Sequence, residues 1–340
     1  MKTIYLLLLS TFTVTSLVAQ NVEPTHKHVS YGSHKDMKLN FWKIEAKEPT
    51  PLLVHIHGGG WLGGKKNETI SPNILKQGYS YCSIDYRLAG TQLLPAAVHD
   101  ASRAIQFLRT KAKEWNFDPS RIAVTGGSAG AASSLWLAYH DDLADPKSKD
   151  PVLRQSSRVC GAIAMGGQTT LDPFLLEKEI GLAAIKHPMI WKTVGATSHE
   201  HLKKNWDKYK ALSIECSPIT HVTKDDPPVW IRYNKPAPVP VIKGDGIHHA
   251  GFGRLLKKKC EKVGIKCHLN VAGHEQAKIN NSEFLKQIFA KYKSSSNQRK
   301  TGLIIYEQLS EHFSYSHYLR RLPNAFHFQQ RLWWHLGLPR

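Results

Sequence analysis

The chain has 340 residues, 41% of them hydrophobic, and a formal net charge of +19. That hydrophobic fraction excludes disorder throughout, and the length suits one sizeable α/β domain with an insertion, or two small domains. The lysines and arginines are scattered, and no nucleic-acid module accompanies them, so the charge reads as a solvated basic surface rather than a nucleic-acid interface.

Lys2 precedes an apolar run, Ile4 to Leu9, that continues through Phe12 to Val18 and ends at the small residue Ala19. This reads as a secretory signal peptide over 1–19, in preference to a buried first element, because the Pro- and His-containing stretch behind it breaks any continuation. No second run is long enough to span a membrane, so the mature protein is expected to be secreted or periplasmic. Five cysteines make an odd, sparse set. Cys82 and Cys160 sit in apolar strand-like runs, Cys260 and Cys267 could pair, and no C-x-x-C pair suggests a structural zinc site.

His28 to Tyr31 and Leu39 to Ile44 read as a β-hairpin. Leu52 to Ile56 is a short apolar strand ending in His57-Gly58-Gly59-Gly60-Trp61. A helix near Ile70 to Gln77 and a strand Tyr79 to Asp85 follow. Pro95 opens a long amphipathic helix with Ala97, Ala101, Ala104, Ile105 and Leu108 at helical spacing. The run Arg121 to Thr125 leads through Gly126-Gly127-Ser128-Ala129-Gly130 into a helix reaching Tyr139, a strand–turn–helix with serine at the apex. Asp141 to Arg158 looks like a solvated loop, and Val159 to Met165 is the next strand. From about 171 to 212 the chain turns helical and richer in Lys, His and Trp, which is more than a β–α connection requires and reads as an inserted cap. A strand ending at Tyr233, a Pro/Gly-rich loop to Ala250, a helix Phe252 to Val263, a strand Ile265 to Val271 and a helix Glu283 to Tyr292 complete the domain, placed at 24–293. The remaining 294–340 is a basic, aromatic extension, read either as a surface-binding appendage or as a segment not needed for folding. Strands alternating with helices predict a doubly wound, mostly parallel sheet with function at the strands' C-terminal ends.

These marked segments resemble the hormone-sensitive-lipase-like esterases of the α/β-hydrolase fold. The resemblance rests on His57 to Trp61, Asp85-Tyr86-Arg87-Leu88, Pro95 with Asp100, Asp118 to Ile122, the Gly126 to Gly130 elbow, Ser217-Pro218-Ile219 and Gly273-His274, and covers roughly Tyr31 to Tyr292. It implies Ser128 as nucleophile, His274 in the turn after the last strand as base, and an oxyanion hole from the backbone of Gly58, Gly59 and Ala129. The elbow carries Gly127 where many relatives have an acidic residue. The family's acid lies just after the seventh strand, yet no carboxylate occurs between Asn234 and Gly244. The first one, Asp245, is either the residue orienting His274 or part of an Asp-Gly turn, and both readings stand. His248 and His249 are candidates for the pocket lining, but adjacent histidines point different ways and do not read as a metal pair. Trp61 is a candidate substrate contact or core aromatic, and Phe174, Trp191 and Trp206 are candidate cap contacts. No metal or cofactor is called for. The expected function is hydrolysis of short-chain acyl esters, small-molecule or carbohydrate, with a non-catalytic binding protein or a serine peptidase on the same fold as alternatives. The pattern leaves the oligomeric state open.

Overall fold

The computed structural model describes residues 20–234 and 236–292. The expected signal segment over 1–19 and the extension from 294 lie outside them. Within these residues the strands β1 (His26–Ser30), β2 (Lys38–Trp42), β3 (Thr50–Ile56), β4 (Ser80–Ile84), β5 (Phe117–Gly127), β6 (Ala162–Met165), β7 (Val229–Tyr233) and β8 (Cys267–Val271) form one sheet in the order β1-β2-β4-β3-β5-β6-β7-β8. The hairpin edge is antiparallel through β2–β4, and every pairing from β4 to β8 is parallel. This is the doubly wound, mostly parallel sheet expected from the alternation of strands and helices.

The central strands are buried on both faces, and their period of two sorts side chains between two cores. Leu52, Val54, Ile56, Ile122 and Val124 pack into the larger core. It is covered by α2 (Ala96–Lys111), α3 (Ala129–Tyr139) and α9 (Gly251–Val263). Leu53, Tyr81, Ala123, Ile163 and Trp230 face the other way, against Phe284, Leu285, Ile288 and Phe289 of a helix over 281–292. The helix expected over Ile70 to Gln77 is shorter, α1 (Pro72–Leu75), started by the Ser71 side chain accepting from the Asn73 N–H and by proline at the first turn.

Between β6 and β7 lie α4 (Pro173–Glu179), α5 (Leu182–Lys186), α6 (Pro188–Trp191), α7 (His199–Lys204) and α8 (Trp206–Glu215), followed by a 3₁₀ turn, Pro218–Thr220. They are short because start signals crowd the sequence: Pro173 and Pro188 open α4 and α6, and the side chains of Asp172, His187 and Ser198 cap α4, α6 and α7. Leu176, Ile180, Ile185, Met189, Ile190 and Leu202 are buried and join the main core. The insertion is therefore fused to the domain beneath it rather than laid over it.

Two local expectations change. The 141–158 segment is not simply solvated. Asp142 Oδ1 accepts from the Ser157 N–H at 2.8 Å, and Gln106 Nε2 donates to the Leu143 and Gln155 carbonyls at 3.2 and 2.9 Å, so the loop is stitched to α2. Cys260 and Cys267 are free thiols, and the other three cysteines are also free.

The segment after β4 is held by a buried ion pair. The Asp100 carboxylate, 1% exposed, accepts from the Arg87 guanidinium at 2.8 Å (Nε to Oδ2) and 2.5 Å (Nη2 to Oδ1), and from the Arg87 backbone N–H at 2.9 Å. Removing one partner strands the other's hydrogen-bonding groups. Asp100→Ala should cost about 3–5 kcal/mol in urea unfolding, whereas a loss under about 1 kcal/mol would show that the pair contributes no more than a surface salt bridge.

Candidate active site

Ser128 sits where β5 ends and α3 begins, with φ 52° and ψ −121°, a left-handed-side conformation that costs a non-glycine residue of order 1–3 kcal/mol. Its neighbours explain how the turn closes. A Cβ on Gly130 would lie 2.0 Å from the Ile56 carbonyl oxygen, and one on Gly126 would lie 2.5 Å from the Gly130 carbonyl carbon, so only glycine lets β3, β5 and α3 meet here. The Ser128 N–H donates to the Met165 carbonyl at 2.8 Å, which fixes the apex against β6.

The partner of the Ser128 hydroxyl is His248. Its Nε2 lies 3.0 Å from Ser128 Oγ, and its Nδ1 lies 2.9 Å from both carboxylate oxygens of Asp245. With Nδ1–H donating to the carboxylate, Nε2 carries the lone pair that accepts from the serine. The long loop between β7 and α9 supplies both residues. Its turn is anchored on two sides: Gln168 Nε2 donates to the Ile247 carbonyl at 2.7 Å, and a Cβ on Gly246 would lie 2.5 Å from the Ala184 nitrogen in α5. Further back, the Val241 N–H donates to the Ile180 carbonyl at 2.7 Å, and the Ala183 N–H to the Val241 carbonyl at 2.9 Å. His249 points away, its Nε2 donating to the Ala237 carbonyl and its Nδ1 accepting from the Gly251 N–H.

His274, expected as the base, is not brought to the serine. It is exposed in a turn after β8 that closes on itself, the Val271 N–H donating to the Glu275 carbonyl at 2.6 Å and the His274 N–H to the Val271 carbonyl at 2.9 Å. β8 lies three strands from β5, roughly 14 Å across the sheet at the usual strand spacing, and so tight a turn does not cross that gap. The loop after β7 starts one strand nearer and is long enough to fold back. Asp245 therefore orients His248, not His274. The clue available in the sequence was the spacing of Asp245 and His248, three residues apart in one turn of a long loop.

Gly58 lines the cleft beside Ser128, and a Cβ there would lie 3.6 Å from the serine Cβ. The backbone N–H groups of Gly58, Gly59 and Ala129 have no hydrogen-bond partner among the described residues. Gly59, at φ 100°, backs onto the Gly63 carbonyl. The loop is clamped from below: the Tyr86 hydroxyl donates to the His57 carbonyl at 2.9 Å, the His57 ring stacks on Tyr86, and His57 Nδ1 donates to the Gly58 carbonyl at 2.8 Å. Trp61 is not a substrate contact. The chain turns left-handed through Gly59, Gly60 and Trp61, which sends the indole into the core, fully buried, with Nε1 donating to Ser133 Oγ at 2.8 Å. Phe174, Trp191 and Trp206 do not border the cleft either.

The cleft, about 600 Å³, continues from Ser128 over the ends of β6 and β7 to Met165, Arg232 and Asn234, with His55 in its floor. Burial and the neighbouring His57 pull the His55 pKa down to about 4, which leaves its ring neutral. His187 stands over the Gly60 backbone, its pKa also lowered, chiefly by burial and then by the nearby His248. The Arg232 side chain is exposed in the cleft and has no ion-pair partner among the described residues. Arg232, Gln168 and His187 carry no motif that singles them out in the sequence.

The sequence model of the BD-FAE family matches residues 41–243, which takes in the Gly58 loop, Ser128 and the insertion and stops just before Asp245. Among curated relatives, the "Probable carboxylic ester hydrolase LipM" of Mycobacterium tuberculosis is 25% identical over 221 residues, covering 61% of this chain and 47% of its own. The carboxylesterase NlhH of the same species is 31% identical over 156 residues, covering 39% of this chain and 49% of its own. The chain thus spans about half the length of these relatives. A solved structure described as a truncated form of carbohydrate esterase from gut microbiota superposes with a TM-score of 0.61 at 21% identity, over 80% of this chain and 96% of that one. These likenesses bear out the resemblance to hormone-sensitive-lipase-like proteins and the α/β-hydrolase fold. With the match running over well more than half of its length, the chain belongs to the BD-FAE family.

Proposed function

We propose that this protein is a serine carboxylesterase that works through an acyl-enzyme. The observation that carries the reading is the chain of hydrogen bonds from Ser128 Oγ to His248 Nε2 and from His248 Nδ1 to Asp245, built on a strained elbow. As the Ser128 oxygen attacks an ester carbonyl, His248 takes its proton, and the Asp245 carboxylate stabilises the resulting imidazolium. The charge on the former carbonyl oxygen falls beside the unpartnered N–H groups of Gly58, Gly59 and Ala129, at the positive end of α3. His248 then returns its proton to the leaving alcohol and activates water against the acyl-serine. The names of the relatives, a carboxylic ester hydrolase and a carboxylesterase, support the ester as substrate.

The finer reading is hydrolysis of short-chain acyl groups, with deacetylation of carbohydrate outside the cell as the setting. The signal-like first 19 residues and the fold shared with a carbohydrate esterase support it. Arg232 adds a chemical preference. β7 lies two strands from β5, about 10 Å at the usual spacing, so the guanidinium faces a group one sugar ring or one short acyl chain from the scissile bond. A carboxylate there would give it the ion-pair partner it lacks among the described residues.

Fluorophosphonate labelling tests the enzyme against the alternative of a binding protein on the same fold. Wild type should label at Ser128 and Ser128→Ala should not, and a folded wild type that fails to label would exclude the esterase. Asp245→Asn should lower kcat by up to about 10⁴-fold with folding intact. Arg232→Met should raise KM for carboxylate-bearing acetyl esters by roughly 10- to 100-fold, the scale of a charge-assisted hydrogen bond of about 1.5–3 kcal/mol. Neutral acetyl esters should be unaffected, and an equal effect on both would remove the anionic preference.

A further inference from the structure

The second concentration of chemistry lies away from the cleft, where the insertion returns to the domain. His140 directly follows α3, Glu215 is the last residue of α8, and His221 directly follows the 3₁₀ turn Pro218–Thr220. One ligand atom from each, two ring nitrogens and a carboxylate oxygen, falls within 4.8 Å of the others. We propose that these three side chains bind a divalent transition-metal ion, of the Zn²⁺ class, that staples the end of the insertion to the elbow helix.

The hydrogen-bond inventory makes the case. His221 Nε2 lies 2.7 Å from the Glu215 backbone carbonyl, which can only accept, so Nε2 carries the proton and Nδ1 keeps a lone pair. His140 Nδ1 lies 2.9 Å from the Asp141 carbonyl and is likewise the protonated nitrogen. That leaves His140 Nε2 facing Glu215 Oε1 at 3.1 Å. In a neutral imidazole this is a lone pair set against a carboxylate, a repulsive arrangement unless a second proton or a cation lies between them. A histidine that donates one ring N–H to a backbone carbonyl and keeps a lone pair on the other nitrogen has the second-shell arrangement of a metal ligand. The 3.1 Å separation is close to the roughly 3.3 Å between neighbouring donors around a tetrahedral ion with bonds near 2.0–2.1 Å. Two imidazoles and a carboxylate are a donor set that zinc and cobalt take readily.

The surroundings are built rather than incidental. The Trp136 ring stacks on His140 with centroids 4.0 Å apart, and its Nε1 donates to the Glu215 carbonyl at 2.8 Å. Glu215 and His140 remain 39% and 15% exposed, which leaves an entry path for the ion. The protein carries 19 histidines in all, so metal uptake alone would prove little, and the comparison between variants is the readout.

The full chain, stripped with chelator, is titrated with Co²⁺ and followed by visible absorption. One equivalent should give the intense bands of a low-coordinate cobalt site, Zn²⁺ should bleach them, and Zn²⁺ should raise the unfolding temperature. His140→Gln and Glu215→Gln, each checked for a native circular dichroism spectrum, should weaken the spectroscopic site by more than about tenfold and abolish the thermal shift. Wild type with no such bands, or both variants binding like wild type, would overturn the site and leave His140 and Glu215 as a hydrogen-bonded pair.

Discussion

The 3.0 Å contact between Ser128 Oγ and His248 Nε2 joins residues 120 apart in sequence, and most of the architecture serves to hold its two ends. The serine end is rigid. Its unfavourable backbone angles are enforced by glycines pressed against β3 and by a helix whose every residue is buried. The histidine end is a loop with no helix or strand among its described residues, and it is held by the insertion and the end of β6. Val241 pairs with Ile180 and Ala183, Gly246 fits against α5, and Gln168 ties the Ile247 carbonyl to the end of β6. The insertion therefore supports the loop that carries the base. Loosening α4 or α5 should therefore reach the chemistry through His248, without any contact to substrate.

Electrostatics divide the cleft into two parts. Near Ser128, the paired His248 and Asp245, the neutral His55 and His187, and the N-terminal end of α3 leave a place prepared for one developing negative charge. Farther along the sheet, Arg232 is a cation with no ion-pair partner among the described residues. In the proposed reaction the first part would serve ester cleavage and the second would select among esters.

Much of this was legible in the sequence where local pattern and long-range need coincide. Leu52 to Ile56 and Ile122 to Val124 read as buried strands and are buried strands. The elbow glycines read as a tight turn, and Gly126 and Gly130 contact backbone that a side chain would displace. The site was less legible where identity depends on how far a loop reaches. His274 occupies the position the resemblance assigns to the base, but the Val271–Glu275 turn shuts before it can cross three strands. His248 looked like pocket lining because nothing local reveals that the loop folds back over β6. Trp61 failed for a similar reason: an aromatic after three glycines can turn to the cleft or to the core, and the left-handed run through Gly59 to Trp61 decides it.

The central claim is that His248, and not His274, is the general base. Steady-state kinetics of His248→Ala and His274→Ala on a short-chain aryl ester test it directly. The geometry predicts a fall in kcat of several orders of magnitude for His248→Ala, in the range of about 10⁴–10⁶ seen when a triad member is removed, with His274→Ala close to wild type. The reverse pattern, with His274→Ala inactive and His248→Ala near wild type, would contradict the account.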